Sequence, residues 1–169
     1  MIDAAPIIVT ATLGTADFAW ADNLRRIHFP PERNHLSAHL TLFHHLPPSA
    51  ADELDRRLAG IARSPRPDAR IPGPMSLGRG VALKVESAAL VAIRAELAEA
   101  FVGSLTLQDQ AGWRPHITIQ NKVDPATARA LLATLQAGFA PRPLSITGLA
   151  LWRYRGPGWD LIARHAFHG

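Results

Sequence analysis

Two four-residue segments of the chain combine the same residue types in the same order. They are His39-Leu40-Thr41-Leu42 and His116-Ile117-Thr118-Ile119, and their histidines are 77 positions apart. Imidazole titrates near neutral pH, so one ring can accept a proton while the other donates one. The two segments, which we call the first and second tetrads, therefore indicate general acid–base chemistry.

Attack on a phosphodiester is a reaction that uses such a pair. One proton must leave the attacking nucleophile, and another must reach the leaving oxygen on the opposite side of phosphorus. The hydroxyls of Thr41 and Thr118 can donate hydrogen bonds to the non-bridging oxygens, where negative charge lies. We therefore expect His39 and His116 to be catalytic and Thr41 and Thr118 to bind phosphate. No metal ion or other cofactor is needed for this chemistry.

The tetrads must lie on strands for these side chains to converge. Successive side chains of a strand point to opposite faces, so the histidine and threonine of each tetrad share one face and its two apolar residues share the other. We expect strands over residues 39–46 and 115–123. Their apolar faces would pack under helices, and their polar faces would face each other across a cleft.

Helix and strand signals surround both tetrads. A β-branched strand over residues 7–13 ends at a glycine, and Thr15 then precedes a helical pattern that extends to residue 28. Ser87 precedes apolar residues at helical spacing, and Asp124-Pro125 combines a capping residue with proline at the first helical position. These signals predict helices before and after the histidine strands.

The order of the elements repeats along the chain. Each half contains a strand, a helix, a loop, a histidine strand, a second helix and a strand, followed by a glycine-containing turn. An internal repeat of this kind predicts two lobes related by a pseudo-two-fold axis. We expect an α+β fold in one bilobal domain, 1–169, with approximate halves 1–80 and 81–169. Each lobe would be an antiparallel sheet with helices on its outer face, and the active-site cleft would lie between the lobes.

With these motifs the sequence resembles the two-histidine phosphoesterase superfamily, specifically its bacterial branch of 2′-5′ RNA ligases and RNA 2′,3′-cyclic phosphodiesterases. The family has two His-x-Ser/Thr-x tetrads on strands of two pseudo-symmetric lobes, and both tetrads of this chain match. Pro115 and the loop before it also resemble the family. The resemblance implies metal-independent opening of a 2′,3′-cyclic phosphate to a 2′-phosphate. It also implies 2′-5′ ligation by the same groups with their roles exchanged. The partners would be RNA ends or nucleotides that carry a cyclic phosphate.

Four further residues are candidate substrate contacts. Phe43 and His45 continue the polar face of the first tetrad, and Phe43 can stack on a base. Trp113 precedes the second tetrad, and Lys122 continues its polar face toward a phosphate. The segment Phe43-His44-His45 departs from the family, in which small and apolar residues often follow the first tetrad.

The composition limits the class of protein. The chain has 169 residues, of which 47% are hydrophobic and 19% are charged, as in a soluble globular domain. It has no cysteine, which excludes disulfides, thiolate metal sites and thiol catalysis. Sixteen of its 18 basic residues are arginine, a composition that suits phosphate ligands. The net charge of +4 is too small to indicate a large nucleic-acid interface.

The expected location follows from the absence of two sequence signals. The N-terminus carries Asp3 where a signal peptide has basic residues, and no apolar run approaches the ~18 residues of a membrane span. We expect a soluble, cytoplasmic monomer with no membrane partner.

Three other interpretations of the sequence are open. The protein can be a phosphodiesterase of small cyclic nucleotides that does not act on RNA. It can instead be a non-catalytic module that binds RNA ends or nucleotides. A metal site built on His35, His39, His44 and His45 is the third reading, but His44 and His45 are adjacent on a strand and point in opposite directions.

Overall fold

The computed structural model describes residues 3–169, which form a mixed α+β structure. The strands are β1 (Ile7–Leu13), β2 (Leu40–Leu46), β3 (Arg70–Ile71), β4 (Pro74–Ser76), β5 (Val81–Lys84), β6 (His116–Gln120), β7 (Arg142–Pro143), β8 (Ile146–Tyr154) and β9 (Trp159–Ala166). The helices are α1 (Thr15–His28), α2 (Ala51–Ile61), α3 (Ala88–Ala100), α4 (Leu107–Gln110) and α5 (Pro125–Gly138).

The main sheet joins two lobes. Over the described residues it has seven antiparallel strands in the order β4-β5-β6-β2-β1-β8-β9, and β3 pairs with β7 in a separate ribbon. Strand β1 pairs along most of its length with β2 and β8, whereas β2 and β6 share one paired position, Leu40 opposite Ile117. This β2–β6 contact, which we call the seam, separates the first lobe (β2, β1, β8 and β9) from the second lobe (β4, β5 and β6). The predicted α+β, two-lobed architecture is confirmed.

One face of the sheet is covered by helices and the other is open. The odd-numbered residues of β1, such as Val9 and Ala11, belong to the hydrophobic core beneath the helices. Thr10 and Thr12 alternate with them and lie on the opposite face, which we call the open face, although Thr10 itself is buried and accepts a hydrogen bond from Trp152. The alternation of residue type along this strand determines which face each side chain occupies.

Helices α1 and α3 each contact a strand of the lobe opposite to that of the strand they follow in sequence. Helix α1 follows β1 in sequence but packs on β6 of the other lobe, whereas α2 packs on β8 and β9. Helix α3 follows β5, and its Arg94 reaches back to β2 of the first lobe. Helix α5 packs on β4 and β5. Each histidine strand is therefore supported by a helix from the other half of the chain.

Two of the predicted helix starts are confirmed, whereas α1 begins at Thr15 itself, after Gly14, with no side-chain cap. The Ser87 hydroxyl accepts a hydrogen bond from the Leu90 amide at the start of α3. The Asp124 carboxylate accepts one from the Thr127 amide at the start of α5, with Pro125 at the first helical position. Each bond satisfies an amide that the helix itself leaves without a partner.

The expected halves 1–80 and 81–169 stay a prediction. The order strand-helix-strand-helix does recur, as β1-α1-β2-α2 and β5-α3-β6-α5. Strands β8 and β9 of the second half, however, pair beside β1 of the first. None of the helices in residues 3–169 is long and apolar enough to cross a membrane.

Candidate active site

The two tetrads meet where β2 and β6 touch. Leu40 and Ile117 are paired there, and both are fully buried on the core face. Side-chain alternation places the neighbours of these two residues on the open face. Those neighbours are the predicted residues His39, Thr41, His116 and Thr118.

The antiparallel register relates the tetrads by an approximate two-fold axis. Because Leu40 lies opposite Ile117, the register sets His39 across from Thr118 and Thr41 across from His116. Each histidine thus lies across from the threonine of the other tetrad. All four side chains are partly exposed, so a ligand on the open face can reach them.

Both histidine rings are held in the same way. The Nδ1 atom of His39 lies 2.7 Å from the Ser37 carbonyl oxygen, and the Nδ1 atom of His116 lies 2.6 Å from the Arg114 carbonyl oxygen. A carbonyl oxygen can only accept, so each Nδ1 carries the proton and donates it. Each Nε2 is consequently free to take a proton from a ligand, or to return it afterwards.

The surroundings of His39 favour its neutral form. The pKa of His39 is lowered to about 4, mainly by burial and in smaller part by the charges of Arg25, His44 and His116. The hydrogen bond to Ser37 opposes this shift. The Trp159 ring lies edge-on to the imidazole, with 4.8 Å between centroids, and removes water from one side of it. At neutral pH His39 is therefore uncharged and able to accept a proton.

The lowered pKa of His39 predicts a pH dependence of stability. In the unfolded chain this ring titrates near pH 6.5, so between pH 6.5 and about 4 the unfolded state binds the extra proton. Stability is therefore lost as the pH falls through this window. We expect His39 to remove about 1–2 kcal/mol from the unfolding free energy between pH 7 and pH 5. Urea unfolding of the wild type and of His39→Asn at both pH values measures this, and equal losses in the two proteins would contradict it.

Arg25 is a buried residue beside the candidate site that the sequence reasoning missed. This α1 side chain is 4% exposed, and its guanidinium lies 4.1 Å from the centroid of the Phe29 ring. Its Nε donates to the Asn34 side-chain oxygen at 2.7 Å, in the loop before the first tetrad. Its Nη1 donates to the Thr118 carbonyl oxygen at 3.1 Å, in the second tetrad. One guanidinium therefore links the loop before the first tetrad to the backbone of the second tetrad.

Arg94 occupies the corresponding place on α3. It is 8% exposed, and its guanidinium lies 4.2 Å from the centroid of the Phe43 ring. Its Nε donates to the Leu42 carbonyl oxygen in the first tetrad, and its Nη2 donates to the Asp109 carbonyl oxygen ahead of the second tetrad. The two buried arginines thus each bond to a backbone carbonyl of one tetrad and to a segment ahead of the other tetrad. Each arginine satisfies one tetrad carbonyl, that of Thr118 or of Leu42, which would otherwise need another hydrogen-bond partner.

The prediction that Phe43 faces a substrate is wrong. Thr41 pairs with Thr10 while Phe43 pairs with Val9, so two residues of β2 advance for one of β1. This bulge turns Phe43 toward the core, where it is fully buried under Arg94. The strict alternation assumed from the sequence therefore ends one residue after Thr41.

A second irregularity displaces His45. His44 and His45 both lie between the paired positions Phe43 and Leu46, where β1 supplies a single residue. Their two backbone amides donate to the carboxylate of Asp109, which is buried and lies 3.2 Å from His44 Nδ1. Burial alone would raise the pKa of Asp109, but the hydrogen bonds with His44 and His45 outweigh it and lower that pKa. Although exposed, His45 does not continue the face of Thr41 in the way that regular alternation predicts.

Trp113 and Lys122 lie apart from the open face of the tetrads. The Trp113 indole N–H donates to the Thr41 carbonyl oxygen at 3.1 Å, so it supports the strand backbone from beside it. Lys122 is exposed in the turn after β6, at a left-handed φ of 62°. Its neighbour Val123 bonds to Arg79 in the β4–β5 turn, well past Thr118. The position of Lys122 does not support its predicted contact with a phosphate, and the contact of Trp113 with a substrate stays a prediction.

The described residues do not support the hypothesis of a metal site on the histidines. Within residues 3–169, no group of three or more His, Asp or Glu side chains is arranged to hold a metal ion. The buried carboxylate of Asp109, beside His44, binds backbone amides instead.

Solved structures with this fold include proteins of Thermus thermophilus and E. coli and one described as a phosphoesterase. TT0787 of Thermus thermophilus has a TM-score of 0.66 at 16% identity, over 97% of this chain and 98% of its own. E. coli LigT complexed with 3′-AMP has a TM-score of 0.66 at 19% identity, over 99% and 100%. A structure described as a phosphoesterase has a TM-score of 0.63 at 18% identity, over 99% and 100%. These likenesses establish the fold.

Sequence comparison identifies the family. No curated protein is similar enough in sequence to count as a match. The family model of the 2′-5′ RNA ligase superfamily matches residues 14–158, which include both tetrads and both buried arginines. The chain belongs to the 2′-5′ RNA ligase superfamily of phosphoesterases and ligases.

Proposed function

We propose that the protein opens 2′,3′-cyclic phosphates, at RNA ends or on nucleotides, to 2′-phosphates by proton transfer through His39 and His116. The observation that carries the proposal is the matched pair of imidazoles, each with Nδ1 bound to a carbonyl and Nε2 free. The two-fold arrangement suits in-line displacement, in which one ring serves the nucleophile and the other the leaving group.

The proposed reaction transfers two protons. Water attacks phosphorus and gives a proton to the neutral imidazole, while the bond from phosphorus to O3′ breaks. The protonated imidazole of the other histidine then supplies a proton to O3′. The products are a 2′-phosphate and a 3′-hydroxyl. A 5′-hydroxyl in place of water gives a 2′-5′ linkage by the same transfers.

The threonines have a separate task in this proposal. Thr41 and Thr118 each lie across from a histidine, so their hydroxyls can donate to the non-bridging oxygens of a phosphate between the rings. Their donation stabilises the charge that grows on these oxygens as the nucleophile adds. A metal ion is not required for any of these steps.

Nucleotides are the ligand class that the relatives support. E. coli LigT has been crystallised with 3′-AMP, with ATP, with NADP+ and with phosphate. The same fold with two tetrads at its seam supports binding of a phosphate with an attached nucleoside here. The cytoplasm, where RNA ends arise, is the proposed compartment, and the monomer is the proposed state.

Turnover of defined substrates tests the proposal. The protein is incubated in EDTA with adenosine 2′,3′-cyclic phosphate or with a short RNA that ends in a 2′,3′-cyclic phosphate, and ³¹P NMR identifies the product. We expect a 2′-phosphate from at least one substrate. A 3′-phosphate, or activity that needs an added metal ion, would contradict the mechanism.

The same assay separates the alternatives. Turnover of the mononucleotide without turnover of the RNA would favour a small-nucleotide phosphodiesterase. Binding of both substrates with no product from either would favour a non-catalytic nucleotide or RNA-end module.

A further inference from the structure

A cavity of about 510 Å³ opens beside His39 on the first lobe. Its floor is the open face of β1, with Thr10 and Thr12, and its walls are the segment 35–39 and the β8–β9 hairpin. The volume lies within the range of about 300–1,000 Å³ that is usual for small-molecule sites. The two tetrads together would bind the phosphate, whereas this cavity adjoins the first tetrad only.

Aromatic side chains in fixed positions line the cavity. The Trp152 indole N–H donates to the Thr10 hydroxyl at 2.8 Å, which sets the orientation of that ring. The Trp159 ring lies 6.1 Å from Trp152 and 4.8 Å from His39, measured between centroids. The series Trp152, Trp159, His39 therefore leads without interruption from the cavity to a histidine of the candidate site.

The polar groups of the cavity are hydroxyls and cations. Thr12 and Ser37 supply hydroxyls, and the Arg164 guanidinium lies 6.0 Å from the centroid of the Trp152 ring. His35 adds a further group able to carry positive charge. No carboxylate from the described residues lines the cavity. A flat aromatic ligand with hydrogen-bonding edges and an attached phosphate fits this combination.

We infer that this cavity is a nucleobase site, which holds the base of the nucleotide whose phosphate lies between the tetrads. The inference rests on the proposed function and adds to it a substrate class: substrates with a base next to the reacting phosphate. Stacking on tryptophan tolerates every base because each has a π-face, so purines and pyrimidines both fit. The other tetrad has no part in this cavity, which makes recognition of the nucleotide one-sided.

A pair of substrates that differ only in the base tests the inference. These are adenosine 2′,3′-cyclic phosphate and the methyl β-D-ribofuranoside 2,3-cyclic phosphate, which has no base. We expect the wild-type kcat/KM to be ~10- to 100-fold higher for the adenosine substrate, in line with the strength of base stacking on aromatic side chains. Equal values for the two substrates would overturn the inference.

Two variants change the cavity in different ways. Trp159→Leu removes a stacking surface, and Thr12→Phe fills the space from the floor. We expect each to reduce the ratio of the two kcat/KM values toward one. Trp20 is the matched control, because it packs on Phe139 outside the cavity. Trp20→Leu is expected to keep the wild-type ratio.

The ratio also separates base recognition from support of His39. If Trp159 only positions the imidazole, Trp159→Leu lowers both kcat/KM values by the same factor and the ratio stays unchanged, which would overturn the inference. Should Trp159→Leu fail to fold, the ratio in Thr12→Phe decides in the same way.

Binding distinguishes failure of the cavity from failure of the proposed function. If the wild type turns over neither substrate, the proposed function fails. The nucleobase site is then tested by calorimetry with adenosine 2′-phosphate. Binding that Trp159→Leu or Thr12→Phe weakens by ~10-fold or more then supports the nucleobase site. Absence of binding, or binding that both variants leave unchanged, would overturn it.

Discussion

Turnover of a nucleoside 2′,3′-cyclic phosphate is expected to fall by roughly 10²- to 10⁴-fold when either His39 or His116 is replaced by alanine. Each ring has its Nδ1 committed to a carbonyl, so only its Nε2 can exchange a proton with a ligand. Removing one ring leaves either the nucleophile or the leaving oxygen without a proton partner. Steady-state rates for the two variants measure the loss.

The control for this experiment is His168→Ala. His168 is exposed near the C-terminus and lies apart from both tetrads, so its loss is expected to leave turnover within a factor of about two. Near-wild-type rates in His39→Ala or in His116→Ala, with the fold intact by circular dichroism, would exclude the two-histidine mechanism.

Replacing Arg25 by methionine is expected to change both the stability of the fold and the titration of His39. Loss of the guanidinium leaves the Thr118 carbonyl and the Asn34 side chain without this partner, at a cost of about 1–3 kcal/mol in the free energy of unfolding. The positive charge of Arg25 also lowers the pKa of His39, so that pKa is expected to rise in Arg25→Met. Urea unfolding and NMR titration of the His39 ring protons measure the two effects.

Arg94→Met is the matched variant for this test. It removes hydrogen bonds to the Leu42 and Asp109 carbonyls, so a similar loss of stability is expected. Arg94 is not among the charges that lower the pKa of His39, which should stay unchanged. Arg26→Met, at an exposed position next to Arg25, is expected to alter neither quantity. An identical His39 pKa in Arg25→Met and Arg94→Met would contradict the assigned electrostatic effect.

The tetrads could be predicted because their information is local. Histidine and threonine two positions apart must share a face of a strand, and the intervening leucine or isoleucine must then enter the core. The paired residues Leu40 and Ile117 are both fully buried, in agreement with that pattern. The start of α3 at Ser87 is local in the same sense, because a cap needs only its own first turn.

The incorrect or missing predictions concern residues whose local geometry is determined by a segment distant in the sequence. Phe43 enters the core because β1 pairs with β2 through a bulge, and Asp109, 65 positions from His44, binds the amides that this irregularity exposes. The sequence alone gives no feature that distinguishes Arg25 and Arg94 from other arginines on a helix. Their contacts depend on which strand each helix covers, and no short-range pattern encodes that exchange.

The cavity depends on such long-range contacts as well. Trp159 belongs to a hairpin far along the chain from His39, and its contact with that ring requires β8 to pair with β1. In the sequence Trp159 is one aromatic residue near a glycine turn, a context that favours simple hairpin packing. Only the assembled sheet places it beside the first tetrad.

The exchange of helices has a consequence for how the chain gains its structure. With α1 covering β6 and α3 reaching β2, neither half of the polypeptide can complete a hydrophobic core alone. The single paired position between β2 and β6 is too small a contact to hold two independent lobes together. Helices α1 and α3, which contact the opposite lobes, therefore supply the cohesion. We therefore expect both halves to fold in one cooperative transition, so that the cleft at the two tetrads exists only in the fully folded molecule.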